Sequence, residues 1–271
     1  MLEGKLVSAT LLLEIGNTAW KLARYHQYQT PEFLSKGYGI DDLFNEFEKL
    51  EFDELAMANV GPEEHFERIK LYAETANKVL FEARTSSGFG IQHCYSREAS
   101  LGVDRWLTLL LAKSEQTAAI IIDAGTAITL DVIDEKGQHL GGWIAPGMHL
   151  MQEALVRKST RLRVSDETPT ELLGSSTENA IHLGCKASLN GFVEQALVAA
   201  QVRLTQAGEA NTPKVWLTGG DVPYLGNPLL PDDNDTNSAF LERLKSIEQR
   251  PNLVLEGLAV WYQQVNKIKA G

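Results

Sequence analysis

The sequence predicts an α/β protein built from two copies of one sheet-and-helix unit. Apolar runs typical of buried strands alternate with segments of helical periodicity along its 271 residues. One strand–turn–strand pattern also occurs twice: an acid stands two residues before a glycine and a threonine follows, at 14–18 and at 123–126. We therefore expect two lobes, 1–115 and 116–271, each a mixed sheet with helices, facing each other across a cleft.

Each element of the first lobe follows from its local pattern. The run at 9–15, ATLLLEI, is apolar almost throughout and suits a strand buried on both faces. AWKLARY, at 19–25, predicts the second strand of a hairpin that turns at Gly16 and Asn17, with the glycine at positive φ. The remaining patterns predict a helix at 41–52, a strand at 54–61, a helix at 62–78 and a strand at 78–83.

The second lobe repeats this opening. Residues 117–134, TAAIIIDAGTAITLDVID, predict a strand, a turn and a strand, and 135–147 predict a hairpin turn and a glycine-rich bend. The segment 178–207 predicts a long helix, apolar on more than one face, that packs against both a sheet and a partner subunit. The other predicted elements are a helix at 148–156, a strand at 214–221, a surface loop at 226–237 and a closing helix at 256–265.

Composition narrows the range of functions. A formal net charge of -11 argues against a general nucleic-acid binder, because phosphate contacts need clustered Lys and Arg, although a compact basic pocket for a small anion stays compatible with it. No apolar run reaches the length of a membrane span, and the short apolar stretch near the N-terminus lacks a basic leader. Cys94 and Cys185 stand in no CxxC or Cys/His cluster. We expect a cytoplasmic protein that binds neither nucleic acid nor membranes and has inert thiols.

The two acid–glycine–threonine turns have the chemistry of phosphate sites. A glycine turn between strands exposes consecutive backbone N–H groups, and the threonine hydroxyl adds a donor. The preceding carboxylate can hold a cation that neutralises the phosphate oxygens. One such turn is commonly only structural, whereas a pair from opposing lobes indicates a grip on nucleotide phosphates with a metal ion between them.

A third segment, SLGVDRWLTLLLA at 100–112, lies between the two halves of the chain. Gly102 is followed by Asp104 and Arg105 at the start of an apolar helical run. Two interpretations are open: a helix cap beside a solvated charge, or a site of proton transfer where the two phosphate turns converge. The position of the segment favours the second.

Five motifs occur together in this chain: EIGNTAWK, GVDRW, DAGTAITLD, LGGWIAPG and LTGGD. Their order and approximate spacing resemble those of type III pantothenate kinases, in the acetate kinase–sugar kinase–Hsp70–actin superfamily, over about residues 10 to 260. The resemblance implies duplicated actin-like, ribonuclease H-like lobes around a nucleotide cleft. It also implies ATP-dependent phosphorylation of pantothenate to 4′-phosphopantothenate, the first step of coenzyme A biosynthesis.

The resemblance further implies roles for the matching residues. Asp104 is the expected general base, Arg105 pairs with the pantothenate carboxylate, and Asp123 holds a monovalent cation, K⁺ or NH₄⁺. The expected ATP contacts are Glu14 (near Mg²⁺), Gly16, Asn17, Thr18, Lys21 and Thr126. The expected pantothenate contacts are Tyr95, Gly102, Val103, Asp104, Arg105 and Thr177. The family resemblance also implies a homodimer in which the partner subunit completes the substrate pocket.

Glu14 departs from the family pattern, which has aspartate at this position. The longer side chain moves the carboxylate out by one C–C bond, about 1.5 Å. Displacing a metal-bridging group by that much can lower a rate on the order of a hundredfold. Either the glutamate reaches the metal through a shifted water, or the enzyme is slow or inactive. Two alternative functions stay open: a kinase of another small hydroxylated acceptor, and a weakly catalytic nucleotide-binding regulator of the Bvg accessory factor type.

Other conspicuous side chains have plainer interpretations. Three histidines lack metal-ligand spacing and are expected on the surface or on helices: His139, His149 and His182. Three tryptophans are expected to pack the core behind the site: Trp106, Trp143 and Trp216. For Asp131, support of the cation site and local hydrogen bonds at a strand end are both open. The basic segment at 156–163, VRKSTRLR, is compatible with an anion-binding cluster and with a solvated loop.

Overall fold

The chain folds as two units, which the computed structural model describes over residues 9–157, 163–164, 168–226 and 247–270. The first unit is Met1–Gln116 together with Asn252–Gly271, and the second is Thr117–Pro251. The first boundary lies next to the expected one, but the C-terminal segment belongs to the first unit instead of the second. The expected loop at 226–237 lies beyond Gly226, outside the described residues, as does most of the basic segment 156–163.

Strands and helices follow one another much as the patterns predict. Along the described residues the strands are β1 (Thr10–Ile15), β2 (Trp20–Tyr25), β3 (Glu32–Gly37), β4 (Glu54–Asn59), β5 (Val79–Glu82), β6 (Ala119–Ala124), β7 (Ala127–Ile133), β8 (His139–Pro146), β9 (Lys214–Thr218) and β10 (Glu248–Gln249). The α-helices are α1 (Ile40–Phe47), α2 (Glu63–Thr75), α3 (Val103–Ser114), α4 (Met148–Arg157), α5 (Thr177–Gln206) and α6 (Leu253–Ala270). The sequence did not predict β3 or β10, because β3 is largely exposed and β10 has only two residues.

The two sheets share one topology. The strand order is β3-β2-β1-β4-β5 in the first unit and, read from the other end, β8-β7-β6-β9-β10 in the second. Each central strand, β1 or β6, pairs antiparallel with the strand that follows it and parallel with a later one. The predicted fold class, an α/β protein with a duplicated actin-like unit, is confirmed.

Matching register gives the two acids equivalent places. Glu14 is the last residue but one of β1, and Asp123 is the last but one of β6. Across the following hairpin, Glu14 pairs with Lys21 and Asp123 pairs with Thr129. Each unit therefore carries one carboxylate at the end of its central strand, beside a glycine turn.

The cores explain the apolar patterns. Leu11, Leu12 and Leu13 of β1 have no exposed surface, which is why this strand reads as a continuous apolar run. In the second unit α5 contacts β6, β7 and β8, as predicted for packing on a sheet. Its buried residues recur at helical spacing: Leu189, Val193, Ala196, Ala200 and Leu204.

The first glycine turn differs from its prediction in one respect. Gly16 is not at positive φ, and its N–H donates to Ala19 O at 2.9 Å to close the hairpin. Space is the constraint instead, because a Cβ at Gly61 would lie 2.7 Å from Gly16 O. The chain after β4 is held there by Val60, whose N–H donates to Ile15 O at 2.9 Å.

Two of the three tryptophans occupy the core as predicted. Trp106 and Trp216 have no exposed surface. The prediction is wrong for Trp143, which is 41% exposed. Its ring meets Phe192 of α5 edge-on, with 5.8 Å between centroids, but β8 is the last strand of its sheet and leaves the rest of the ring open.

Polar contacts attach α6 to the first sheet. The helix packs against β1, β2, β4 and α3. The Tyr262 hydroxyl lies 3.1 Å from Thr10 Oγ1 and also donates to the Glu54 carboxylate. Burial, with help from Glu54, raises the pKa of Tyr262 to about 12, so the hydroxyl remains a donor at neutral pH. Periodicity predicts this helix but not the sheet on which it packs. The sequence therefore assigns the helix to the second lobe, whereas in the structure it belongs to the first unit.

Gly257 lies where α6 meets α3, and a Cβ there would collide with the Leu107 carbonyl. Gly257→Ala should lower the free energy of unfolding by about 1–3 kcal/mol, the usual cost of overpacking. Gly184→Ala on α5 is the matched control, because no described atom beyond the adjoining residues and the local backbone of its own helix lies within 4 Å of the added Cβ. That change should stabilise the helix by about 0.5–1 kcal/mol. Denaturant titrations compare the two, and equal stabilities would contradict the packing described.

Candidate functional site

Strand register in the first unit brings three charged side chains into one row. Lys36 on β3 pairs with Lys21 on β2, which pairs in turn with Glu14 on β1. Lys21 Nζ lies 3.4 Å from Glu14 Oε2, with 21% and 16% of the two side chains exposed. Lys36 also stabilises the Glu14 charge. Sequence reasoning missed Lys36. Its place beside Lys21 becomes visible only once β2 and β3 are paired.

The Glu14 carboxylate occupies a poorly hydrated position. Burial raises its pKa above the usual range of a carboxyl; Lys21 opposes this rise and the Asp104 charge adds to it. Apart from the ion pair with Lys21, Glu14 Oε2 has no partner at good hydrogen-bond geometry within the described part of the chain. The ion pair with Lys21 therefore compensates its burial incompletely, and a cation beside this oxygen would complete its surroundings.

Asp104 stands in the first turn of α3. A Cβ at Gly102, the residue before the helix, would lie 2.5 Å from Asp104 Oδ1, so glycine leaves the room that this side chain needs. Asp104 Oδ1 accepts the N–H of Arg105 at 2.8 Å, a local bond of the capping kind. The same carboxylate is close enough to Glu14 to raise the pKa of that residue, so the two acids share one region of the first unit.

Arg105 is not the solvated charge that one interpretation expected. Only 7% of its surface is exposed. Its Nη1 donates to the Tyr95 hydroxyl at 3.0 Å, and the guanidinium carbon lies 5.8 Å from the centre of the Tyr95 ring. A buried cation costs free energy unless polar groups compensate it. Tyr95 contributes one such group, so the structure joins two predicted substrate residues into one polar pair.

The turn after β1 presents polar groups to solvent. Asn17 and Thr18 are exposed, and the concave surface around them is lined also by Gly16, Gly39 and His65. Backbone N–H groups and a hydroxyl in such a turn suit an anion. Of the predicted ATP contacts in the first turn, Asn17 and Thr18 are thus accessible.

The second glycine turn is packed against the loop between β8 and α4. Gly125 N–H donates to Ala127 O at 3.1 Å and closes the hairpin. Thr126 is exposed, and its carbonyl accepts the N–H of Gly147 at 2.9 Å. A Cβ at Gly147 would collide with the Gly125 carbonyl. The last glycine of LGGWIAPG is therefore required where this loop passes the turn.

Asp221, the last residue of LTGGD, is a site residue that sequence reasoning missed. Its Oδ2 accepts the N–H of Met148 at 2.7 Å, and its own N–H donates to Ala124 O at 2.6 Å. Asp221 is 6% exposed; burial raises the pKa of its carboxyl and the bond from Met148 opposes that rise. The available signal was an acid directly after a Gly-Gly turn at a strand end.

Asp131 and His139 pair inside the second unit. His139 Nε2 on β8 lies 2.9 Å from Asp131 Oδ1 on β7, and both residues are buried. The expectation that His139 lies on the surface or on a helix is wrong, because the β7–β8 pairing carries it into the core. This contact favours local bonding for Asp131. His149 and His182 lie on α4 and α5, as predicted.

The predicted site residues fall into one group per unit. Glu14, Lys21, Tyr95 and 102–105 belong to the first unit, and Asp123, Thr126 and Thr177 to the second. Thr177 is exposed as the first residue of α5, directly after its Ser176 cap. Within the described ranges, no three His, Cys, Asp or Glu side chains are grouped to hold a metal ion.

Known proteins share this set of motifs. The profile of the type III pantothenate kinase family matches residues 10–199. A type III pantothenate kinase of Nitrosococcus oceani is 32% identical over 274 residues, covering 96% of either chain. Another, of Pseudoalteromonas translucida, is 30% identical over 257 residues, which cover 93% of this chain and 96% of that one. The chain belongs to the type III pantothenate kinase family.

A solved structure agrees with the fold of this family member. A Campylobacter jejuni protein described as a conserved Baf family transcriptional activator superposes with a TM-score of 0.55 and 18% identity, covering 94% of this chain and 99% of that one. At this identity the likeness concerns the fold alone. Among the described helices, none combines the length and apolar character needed to cross a membrane.

Proposed function

We propose that this protein transfers the γ-phosphoryl group of ATP to the primary hydroxyl of pantothenate. The products are ADP and 4′-phosphopantothenate, and the reaction opens coenzyme A biosynthesis. The observation that carries the proposal is the group formed in the first unit by Asp104, the Arg105–Tyr95 pair and Glu14, in a chain of this family. A base, a buried cation for an acidic substrate and a phosphate turn are what such a transfer needs.

Asp104 is the proposed general base. The pantothenate hydroxyl oxygen forms a bond to the γ-phosphorus while the bond from that phosphorus to the β,γ-bridging oxygen breaks. The hydroxyl proton passes to the Asp104 carboxylate, and ADP leaves. Arg105, oriented by its bond to Tyr95, supplies the positive charge that recognises the pantothenate carboxylate.

The glycine turns are the proposed contacts of the ATP phosphates. Backbone N–H groups of Asn17, Thr18 and Thr126 donate to phosphate oxygens, because the N–H groups of Gly16 and Gly125 close their hairpins; Lys21 adds a positive charge. Glu14 is the residue fitted for Mg²⁺, because the Lys21 ion pair is the one polar partner of its buried Oε2 among the described residues and Mg²⁺ commonly binds one or two carboxylates together with substrate phosphates. The bound ion supplies neutralisation of the phosphate charge.

Wider expectations accompany this assignment. The family resemblance supports a cytoplasmic homodimer, without nucleic-acid or membrane partners, in which the partner subunit completes the pantothenate pocket; Thr177 is a proposed pantothenate contact. Exposed apolar side chains just before α5 are compatible with such an interface, since Leu172 and Leu173 are 54% and 86% exposed.

Asp104→Asn tests the assignment of the base. The amide keeps the shape of the side chain but cannot accept the proton, so kcat should fall about 10²–10⁴-fold. Thermal stability and ATP binding should stay near those of the wild type. An assay of ADP release with pantothenate measures kcat, and a variant that keeps most of the wild-type value would remove Asp104 from this role.

The same assay on the wild type separates the candidate functions. Turnover with pantothenate supports the proposed function. Turnover only with other hydroxylated acceptors would identify a different kinase of the superfamily, and ATP binding without turnover would identify a nucleotide-binding regulator.

Asp123 is proposed to hold K⁺ or NH₄⁺ in the second unit. Activity should therefore depend on one of these ions in addition to Mg²⁺, and Asp123→Asn should abolish that dependence. Asp131→Asn is the matched comparison: Asp131 is paired with His139 in the core, so this variant should lose thermal stability but keep its K⁺ activation. Rates are measured in sodium buffer with and without added K⁺. Equal wild-type rates in both would eliminate the cation assignment.

Glu14 is tested by two substitutions that separate charge from length. Glu14→Gln removes the charge and should lower kcat on the order of a hundredfold, with an altered Mg²⁺ requirement. Glu14→Asp restores the usual family residue and should retain far more activity than the Gln variant. Mg²⁺ titrations of kcat measure both effects. An unchanged metal profile in Glu14→Gln, with a shift only in melting temperature, would assign Glu14 a structural role.

A further inference from the structure

Asp221 joins three segments of the second unit. Its backbone N–H donates to Ala124 O at 2.6 Å, at the end of β6, and its Oδ2 accepts the N–H of Met148 at 2.7 Å, at the start of α4. Its carbonyl accepts the N–H of Tyr224 at 2.9 Å. One residue thereby ties the strand before the second glycine turn, the helix after β8 and the chain after β9.

The loop that Asp221 holds is in direct contact with the second glycine turn. Met148 follows Gly147, whose N–H donates to Thr126 O at 2.9 Å. The added Cβ at Gly147 would collide with Gly125 O and lie 2.8 Å from Asp221 Oδ2. Because these contacts leave no space for a side chain, a shift of Met148 is transmitted to the backbone of Gly125 and Thr126.

The first unit builds the same frame without this carboxylate. There Val60 N–H donates to Ile15 O at 2.9 Å, at the end of β1, as Asp221 N–H does at the end of β6. The side chain of Val60 contains no hydrogen-bond acceptor. The helix α1, which follows β3 as α4 follows β8, begins after Gly39 and has no side-chain cap. The strand-end bond therefore needs no aspartate, so the Asp221 carboxylate serves something that the second unit has in addition.

We propose that Asp221 is the positioning residue of the second phosphate turn. Its carboxylate fixes the start of α4, and through Gly147 it holds the Gly125–Thr126 backbone in the conformation that receives ATP phosphate. The inference rests on the use of this turn for ATP under the proposed function. A charged acceptor suits the place, because it pairs with an N–H at the positive end of a helix and away from water.

Calorimetric titration with MgATP tests the role without depending on the acceptor. Asp221→Ala removes the bond to Met148 N–H and should raise the Kd for MgATP about tenfold or more, since a buried donor loses its partner. Asp221→Asn retains one acceptor oxygen and should recover most of the affinity, with a Kd about two- to fivefold above wild type.

Asp134→Ala is the matched control. Asp134 is also a buried acid of the second unit that accepts a backbone N–H, that of Gln138 at 2.8 Å, but it lies in the β7–β8 hairpin, at the opposite end of β7 from Thr126. This variant should melt at a lower temperature than the wild type but bind MgATP with the wild-type Kd. The comparison therefore separates an effect on local stability from an effect on the position of the phosphate turn.

The outcomes decide between positioning and a purely structural role. A folded Asp221→Ala protein that binds MgATP like the wild type would overturn the inference, as would equal loss of affinity in Asp134→Ala. If Asp221→Ala does not fold, Asp221→Asn carries the test, and a wild-type Kd in that variant would overturn the inference. A wild type that binds MgATP but does not phosphorylate pantothenate would refute the proposed function alone, because the comparison of Kd values stands without an acceptor.

Discussion

Close backbone contact at the end of each central strand determines where the candidate site residues lie. In the first unit, a Cβ at Gly61 would lie 2.7 Å from Gly16 O. In the second unit, Gly219 has a φ of +106° and lies against the end of β6. A Cβ at this position would collide with the backbone of Ala124. Because both crossings are backbone against backbone, they leave the glycine turns little freedom. Glu14 and Asp123 therefore take their positions from rigid strand ends.

Electrostatic balance in the first unit depends on that geometry. Burial disfavours the charge on Glu14, whereas Lys21 and Lys36 favour it. The three side chains lie in one row because β3, β2 and β1 are adjacent and in register. The glutamate that replaces the usual family aspartate keeps the charge and reaches Lys21 at 3.4 Å. Its buried oxygen is still incompletely compensated.

The two units share one strand order but carry different side chains beside their glycine turns. The first adds α3, which carries Asp104 and the buried Arg105, and so gathers the groups suited to a hydroxylated, acidic substrate. The second unit has Asp221, which anchors the loop that packs against its glycine turn. Duplication accounts for the shared strand order, and these side chains account for the different roles proposed for the two units.

The sequence by itself determined most of the strands and helices and the repeated glycine turn, and it indicated Asp104 as the candidate base, because periodicity, glycine placement and motif order are local properties of a chain. Only the tertiary structure decided that Arg105 is buried against Tyr95 and that His139 lies in the core. It also decided that α6 belongs to the first unit and that Asp221 caps α4. Each of these depends on which distant segments meet. Local periodicity carries no information about the partner that a buried polar group will find, and that partner decides whether the group is stable there.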